Sequence, residues 1–511
     1  MNAIDILDAA AARDPDALAL VWEHAGRTRT LSFGALVERS RRIAALMRGR
    51  GLRPGDGVVV LLPMAGPLYE VMAALLRLGA AAVFPDPAQW RESLERTAAS
   101  MPLRGFVGTP KACLARWLVP ALRRIPHVFV AGIPLPGAVS LRAAGRVPAL
   151  AARTDCAPDA TALLSFTSGS TGRPKGVLRS HAMLEATQRI LSREMELAPR
   201  QVQLAVLPFF VFAYLGAGAT SVIPPLDLRS PAAADPAAIA RWIEAWKVDG
   251  LAGSPFLLRR LAERCAREPS RLASLRSVFV GGAPVMPSVL DAIQAVAPAA
   301  RVAALYGATE AEPIALAGRE AYGPAEREAV AAGQGLLAGR PIAEISLRIL
   351  GPGGESLPPG GEGEIAVAGP NVSPGYLDGE GDREHKLHDG GVLWHRTGDD
   401  GYVDADGRLW LVGRRGTLQP LRVEAALSGE PGVARATLAS HDGRRTLVIQ
   451  PADESGTLDL QRLAARVAWC GADEIVLMQR IPTDRRHLAK VGVPALREAL
   501  ARGRWQKVIR L

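Results

Sequence analysis

The chain's densest chemistry lies in residues 163–181, LLSFTSGSTGRPKGVLRSH. An apolar run leads into a loop where Gly169, Gly172 and Gly176 lack the Cβ that would keep an anion away from backbone N–H groups. Thr167, Ser168, Ser170 and Thr171 add hydroxyl donors, and Lys175 adds a positive charge. Together they make a cradle for a polyphosphate. The pattern differs from the GxxxxGK(S/T) loop, because Gly176 follows the lysine where a hydroxyl would meet magnesium, so ordinary P-loop hydrolysis is not implied. A Ser/Gly loop with no ligand is the competing reading, and the length of the run argues against it.

The elements that must hold this loop follow from periodicity. Over residues 32–86 a helical pattern, a Pro54-Gly55 turn, an apolar strand (VVVLLP) and a second helical pattern (YEVMAALLRLG) alternate, which predicts βαβ units on a parallel sheet. Residues 275–285 and 301–310 read as further short strands ending in Gly-rich turns, their carboxyl ends facing a common crevice where a ligand should bind. After Arg340 the texture turns to hairpins, with a two-residue turn expected at Asp406-Gly407, so a small antiparallel β subdomain is expected over roughly 340–413. A compact α/β piece follows. The expected architecture is α/β: a large N-terminal domain of layered sheets over 1–413, then a small mobile α+β domain over 414–511.

Composition narrows the class of function. The chain has 511 residues, 48% apolar and 22% charged, which excludes a disordered or collagenous protein. Its formal net charge of +10 would suit nucleic acid if it were clustered, but the basic residues, only six of them lysine, are spread singly or in pairs, so no nucleic-acid role is expected. This Arg-rich usage fits a GC-rich bacterial genome. Cys113, Cys156, Cys265 and Cys470 lie far apart without metal-ligand spacing, and the acidic N-terminus lacks the pattern of a signal peptide, so a cytoplasmic enzyme is expected. Residues 204–226 carry no charge, but Pro208, Pro224, Pro225, Gly216 and Gly218 break them up, which predicts a strand, a turn and a short helix forming a pocket wall rather than a membrane span.

TSGSTGRPKG resembles the phosphate-loop signature of the adenylate-forming superfamily of acyl-CoA synthetases, peptide-synthetase adenylation domains and luciferases, and further motifs follow in that superfamily's order along nearly the whole chain. The resemblance implies ATP and Mg2+ as cofactors, a carboxylic acid as substrate and AMP-forming ligase chemistry. It also implies roles. Tyr306, Gly307 and Ala308 would lie against adenine and acid, Thr309 at the α-phosphate, and Glu310 would hold Mg2+, in keeping with a cation that takes one carboxylate and substrate phosphates. Gly281-Gly282-Ala283-Pro284 resembles the segment under the adenine, Asp399 of Arg396-Thr397-Gly398-Asp399 would accept the ribose hydroxyls, and Arg414 would contact the ribose. Lys490, at the end of PTDRRHLAK, would steady the charge that builds as the acid attacks the α-phosphate, once its domain has rotated into place.

Within the superfamily the strings SHAMLEA, YGATEAEP, GQGLLAGRP, VLWHRTGDDGYVDADGRLWLVGR and RRHLAK resemble olefin β-lactone synthetases, in which a substrate's 3-hydroxyl expels AMP and closes a four-membered ring. Four features depart from the wider patterns. Leu207-Pro208-Phe209-Phe210-Val211-Phe212 carries no histidine, leaving Phe209, Phe210 and Phe212, with Gly307 and Ala308, as candidates for a greasy acid pocket. Gly416 occupies the hinge position, the loop from there to Val423-Glu424 is short, and His487-Leu488 replaces the His-Asn of that branch. Transfer to CoA or to a carrier-protein thiol stays open, as does a non-catalytic adenylate-binding protein, against which Lys175, Glu310 and Lys490 argue.

Overall fold

The computed structural model describes the chain apart from residues 87–88, 169–172, 227–232, 453–457, 484–489 and 511, and apart from the side chains of Ser168, Pro269 and Ser270. Of the proposed phosphate loop, Gly169, Ser170, Thr171 and Gly172 therefore lie outside the described residues.

Alternation of strand and helix builds two large sheets. In an eight-stranded sheet Gly57–Leu61 pairs in parallel with Ala81–Phe84, and the intervening helix Gly66–Leu78 covers the sheet. Pro67 starts that helix without wasting a donor, and Gly79, at φ 73°, ends it in the left-handed conformation that a side chain would resist. The same sheet carries Thr161–Ser168 and, antiparallel to it, Pro174–Ser180, with Thr167 opposite Lys175. Gly375–Tyr376 lies at one edge of this sheet, and His127–Val130 and Val139–Ser140 at the other.

A 14-stranded sheet begins with parallel strands, among them Val202–Ala205, Gly250–Gly253, Ser277–Gly281 and Arg301–Ala308. It turns antiparallel at Ala311–Gly318 and continues through Leu336–Pro341, Leu409–Arg414, Val392–Val403 and Gly363–Ala368 to Ser346–Leu350. The β-rich region is thus continuous with the main sheet, joined where Leu336–Pro341 meets Leu409–Arg414. Its hairpin at Asp406-Gly407 is wider than two residues: Asp404 N donates to Arg408 O, and the Asp404 carboxylate accepts from Arg408 N and Trp410 Nε1. The side chain of Asp404 supplies acceptors that a tighter turn would have found in the backbone.

The uncharged stretch resolves into the strand Val202–Ala205, the helix Phe210–Ala217 and the strand Thr220–Ile223. Its helix is apolar on nearly every side because it packs between the helices Asp5–Arg13 and His181–Glu194, and Gly216 lets these approach, since a Cβ there would sit 2.6 Å from Ile6. No described helix is long and apolar enough to cross a membrane. The C-terminal domain has a four-stranded sheet, from Val433–His441 to Lys507–Arg510, with its own core around Leu447, Ile449 and Ile475. It meets the large domain where Ser428 and Ser288 share a hydrogen bond of 2.7 Å and Trp469 lies against Gly333. The four cysteines are free thiols.

Candidate active site

Sheet register brings the expected residues together from distant parts of the chain. Asp399 and Arg414 face each other across antiparallel strands, and Arg414 Nη1 donates to Asp399 Oδ1 at 2.9 Å. Tyr306, near the end of Arg301–Ala308, donates its phenol to Asp399 Oδ2 at 2.9 Å. Burial, and then the Asp399 carboxylate, push the Tyr306 pKa well above its ordinary value, so the phenol stays a donor. Gly282, at φ +83°, turns the chain toward Ala283 and Pro284 directly after the parallel strand Ser277–Gly281.

Thr309 and Glu310 occupy the tight turn between Arg301–Ala308 and Ala311–Gly318. Thr309 O accepts from Arg179 Nη2 at 3.0 Å, and the same guanidinium lies 4.1 Å from the Phe209 ring centroid, joining the turn to the apolar wall. Glu310 is 9% exposed, and its Oε1 accepts from Tyr376 OH at 2.7 Å. Among the described residues no group of three or more His, Cys, Asp or Glu gathers. A cation held by Glu310 Oε2 would therefore draw most of its ligands from phosphate and water, which is the habit of Mg2+, so the donor set fits that ion.

Lys175, on Pro174–Ser180, is 11% exposed and engages a short helix absent from the candidate list, Asp382–His385. Its Nζ donates to Glu384 Oε2 at 2.7 Å and to His385 Nε2 at 2.8 Å. With His385 Nδ1 3.0 Å from Arg396 O, the ring donates there and keeps the Nε2 lone pair for the lysine. Burial, and then Lys175, hold the His385 pKa below its ordinary value, while the bond from Lys175 holds that of Glu384 down. Next in sequence, Lys386 donates to Ser373 O at 2.5 Å and faces the Tyr376 ring, and burial pushes its pKa down to about 8. A lysine scarcity could have flagged it: Lys386 is one of six in the chain and sits in the charged run DREHK.

Not every expected residue joins this cluster. Thr167 Oγ1 reaches Lys175 O at 3.5 Å, while Ser168 is described by its strand pairing alone. Lys490 is exposed on the C-terminal domain beside the Thr483–Val491 bridge, and residues 484–489 lie outside the described residues. Phe209 and Phe212 line an apolar cavity with Leu7, Met72, Leu184 and Leu191, whereas Phe210 turns into the core against Tyr214. Arg396, first residue of RTGD, is drawn aside to the buried Glu364 at 2.8 Å.

Comparison with known proteins places the chain in a family. Residues 7–377 match the family of AMP-binding enzymes. The chain is 33% identical to an olefin beta-lactone synthetase of Xanthomonas campestris, over 92% of this chain and 90% of that protein. It is 32% identical to a feruloyl-CoA synthase of an Amycolatopsis species, over 83% and 84%. Its fold matches the amide bond synthetase McbA of Marinactinospora thermotolerans with a TM-score of 0.80 at 24% identity, covering 98% of this chain and 99% of that one. With family match, relatives and fold in agreement, the chain belongs to the AMP-binding, adenylate-forming enzymes and is an AMP-forming ligase.

Proposed function

We propose that the enzyme activates a hydrophobic 2-alkyl-3-hydroxy acid as its acyl-adenylate and then closes it to a β-lactone. The observation that carries the adenylation step is the Tyr306–Asp399–Arg414 triad, with the buried Glu310–Tyr376 pair at the turn that follows the strand of Tyr306, an adenosine-side and a phosphate-side group joined by one segment of chain. Asp399 would accept the ribose hydroxyls, and Arg414, already paired with it, would hold the carboxylate in register. Tyr306, Gly307 and the segment Gly282, Ala283 and Pro284 would flank the adenine. Lys175, with the hydroxyls of Thr167, Ser168, Ser170 and Thr171, would receive the polyphosphate after leaving Glu384. Glu310 would hold Mg2+, which supplies charge neutralisation at the phosphates when bound.

In the first step a carboxylate oxygen of the acid attacks the α-phosphorus of ATP, and the bond to pyrophosphate breaks. Thr309 and Lys490 would balance the charge there, Lys490 arriving by movement of the small domain. In the second, the substrate's 3-hydroxyl oxygen attacks the acyl carbon, loses its proton and expels AMP. The acid's alkyl part would enter the cavity lined by Phe209 and Phe212, whose walls orient by shape and leave polar contacts to the carboxylate end near Ala308. Likeness to an olefin beta-lactone synthetase over nine-tenths of both chains supports ring closure, and the short segment after Gly416 argues against a second site for a thiol.

The test is the product's mass when a 2-alkyl-3-hydroxy acid meets ATP, Mg2+ and free CoA together. Ring closure predicts a product lighter than the acid by one water, with AMP released and CoA unchanged. A CoA thioester would replace this reading with that of an acyl-CoA ligase, as in the feruloyl-CoA synthase relative.

A further inference from the structure

Residues 96–154 contain nine Arg and Lys and no Asp or Glu, although the chain as a whole holds 61 basic and 51 acidic residues. The basic residues are spaced singly and in pairs, so their run is visible only in the missing acids. The same stretch carries the four most exposed large apolar side chains described: Leu114 at 60%, Trp117 at 55%, Leu118 at 67% and Ile133 at 71%, with no other above 45%. Three of them stand on the consecutive helical turns Pro110–Ala115 and Arg116–Leu118. Ile133 belongs to the neighbouring loop, since a Cβ on Gly132 would lie 3.5 Å from Pro110.

The patch is built to protrude. The buried Arg116 guanidinium lies 4.3 Å from the Trp117 ring centroid and donates to Leu122 O at 3.3 Å, bracing the indole from beneath. Around it Lys111, Arg123 and Arg124 are exposed, and among the described residues none of the three forms an ion pair, although Arg39, Arg96 and Arg153 each do. The patch covers the edge of the eight-stranded sheet at His127–Val130 and Val139–Ser140, the far edge from Gly375–Tyr376 and Lys175.

We infer that this face seats the enzyme on an anionic lipid bilayer, with Leu114, Trp117, Leu118 and Ile133 entering the headgroup region and Lys111, Arg123 and Arg124 facing its charge. Aliphatic side chains and an indole on short turns, with exposed cations beside them in a stretch of sequence that holds no acid between Arg96 and Thr154, complement a surface that is negative outside and apolar just beneath. Such seating would place the enzyme where a hydrophobic acid partitions; that clause alone rests on the proposed function.

Sedimentation of the full-length protein with vesicles tests it. The protein should pellet with phosphatidylcholine vesicles containing about one-third phosphatidylglycerol, and stay largely in solution with pure phosphatidylcholine. Each cation near such a surface contributes on the order of fivefold, so Arg123→Gln with Arg124→Gln should weaken partitioning about 30-fold. Leu118→Asp with Ile133→Asp should abolish it. Both variants should keep the parent's melting curve and its ATP–pyrophosphate exchange with a short soluble acid, an assay that contains no membrane. The inference is overturned if the parent ignores anionic vesicles, if both double variants bind as the parent does, or if an acidic acyl carrier protein binds through the patch while vesicles do not. Loss of pyrophosphate exchange in the parent would instead remove the proposed function and leave the vesicle result standing.

Discussion

Replacing Glu384 by Gln tests whether Lys175, the residue proposed to receive the polyphosphate, is held in reserve. Lys175 Nζ lies 2.7 Å from Glu384 Oε2 and 2.8 Å from His385 Nε2, so under the proposed function a polyphosphate would compete with an internal carboxylate for that cation. The lysine is 11% exposed but the glutamate 54%, which places the pair nearer the surface class, worth up to about 1 kcal/mol, than the buried class at about 3–5 kcal/mol. Glu384→Gln should therefore lower the KM for ATP by up to about fivefold with little change in kcat, because removing a competitor from the free enzyme favours the ATP complex and the transition state equally. Initial rates of pyrophosphate release across an ATP series measure it. In a double-mutant cycle, Lys175→Ala should erase the effect of the glutamate substitution. A KM that rises, or a kcat that falls with KM unchanged, would instead make Glu384 a support for Lys175 in the ATP complex.

Other outcomes follow from the same contacts. Asp399→Asn should weaken ATP binding about 10- to 100-fold, since charge-assisted hydrogen bonds of this kind contribute about 1.5–3 kcal/mol; calorimetry with a non-hydrolysable ATP analogue measures it, and unchanged affinity would remove Asp399 from the ribose site. His181 is fully buried and accepts from Ala3 N through Nδ1, and burial pushes its pKa down to about 4 from 6.5. The unfolded chain then binds a proton that the fold refuses, so this stability is present above pH 6.5 and is lost as pH falls, by about 2 kcal/mol at pH 5. Urea midpoints at pH 7.5 and 5 should diverge less in His181→Gln; equal divergence would contradict it. Phe212, edge-on to Tyr69, lines the apolar cavity, so Phe212→Trp should cut kcat/KM for long-chain acids by about tenfold and spare short ones, which a chain-length series would show.

Much of this was readable from residue order. The alternating pattern over residues 32–86 gave its parallel pairing of Gly57–Leu61 with Ala81–Phe84, because a short apolar run bounded by a Pro-Gly turn reads as a strand buried on both faces, and the longer run YEVMAALLRLG after it has the length of a crossover helix. Pro208 and Gly218 marked the ends of the apolar helix through backbone chemistry alone. Partners across the sheet were harder to see. Tyr376 meets Glu310 from 66 positions away and Glu384 meets Lys175 from 209, and neither side chain repeats with a period that would point to its partner. Arg179 reads as one more arginine in a chain full of them, and only its contacts with Thr309 O and the Phe209 ring join the Thr309–Glu310 turn to the apolar wall. Asp404 widened a hairpin that Asp406-Gly407 alone would have closed in two residues, since a side-chain acceptor competes with the backbone for the same donors.

Formation of an acyl-adenylate precedes any acceptor, and acid-dependent exchange of labelled pyrophosphate into ATP reports that step alone. With Mg2+ and a 2-alkyl-3-hydroxy acid, label should enter ATP only when the acid is present, and Lys490→Ala should slow the exchange by about 100-fold or more, the scale of one lost transition-state donor. Exchange that persists without any acid, or that survives Lys490→Ala unchanged, would contradict it.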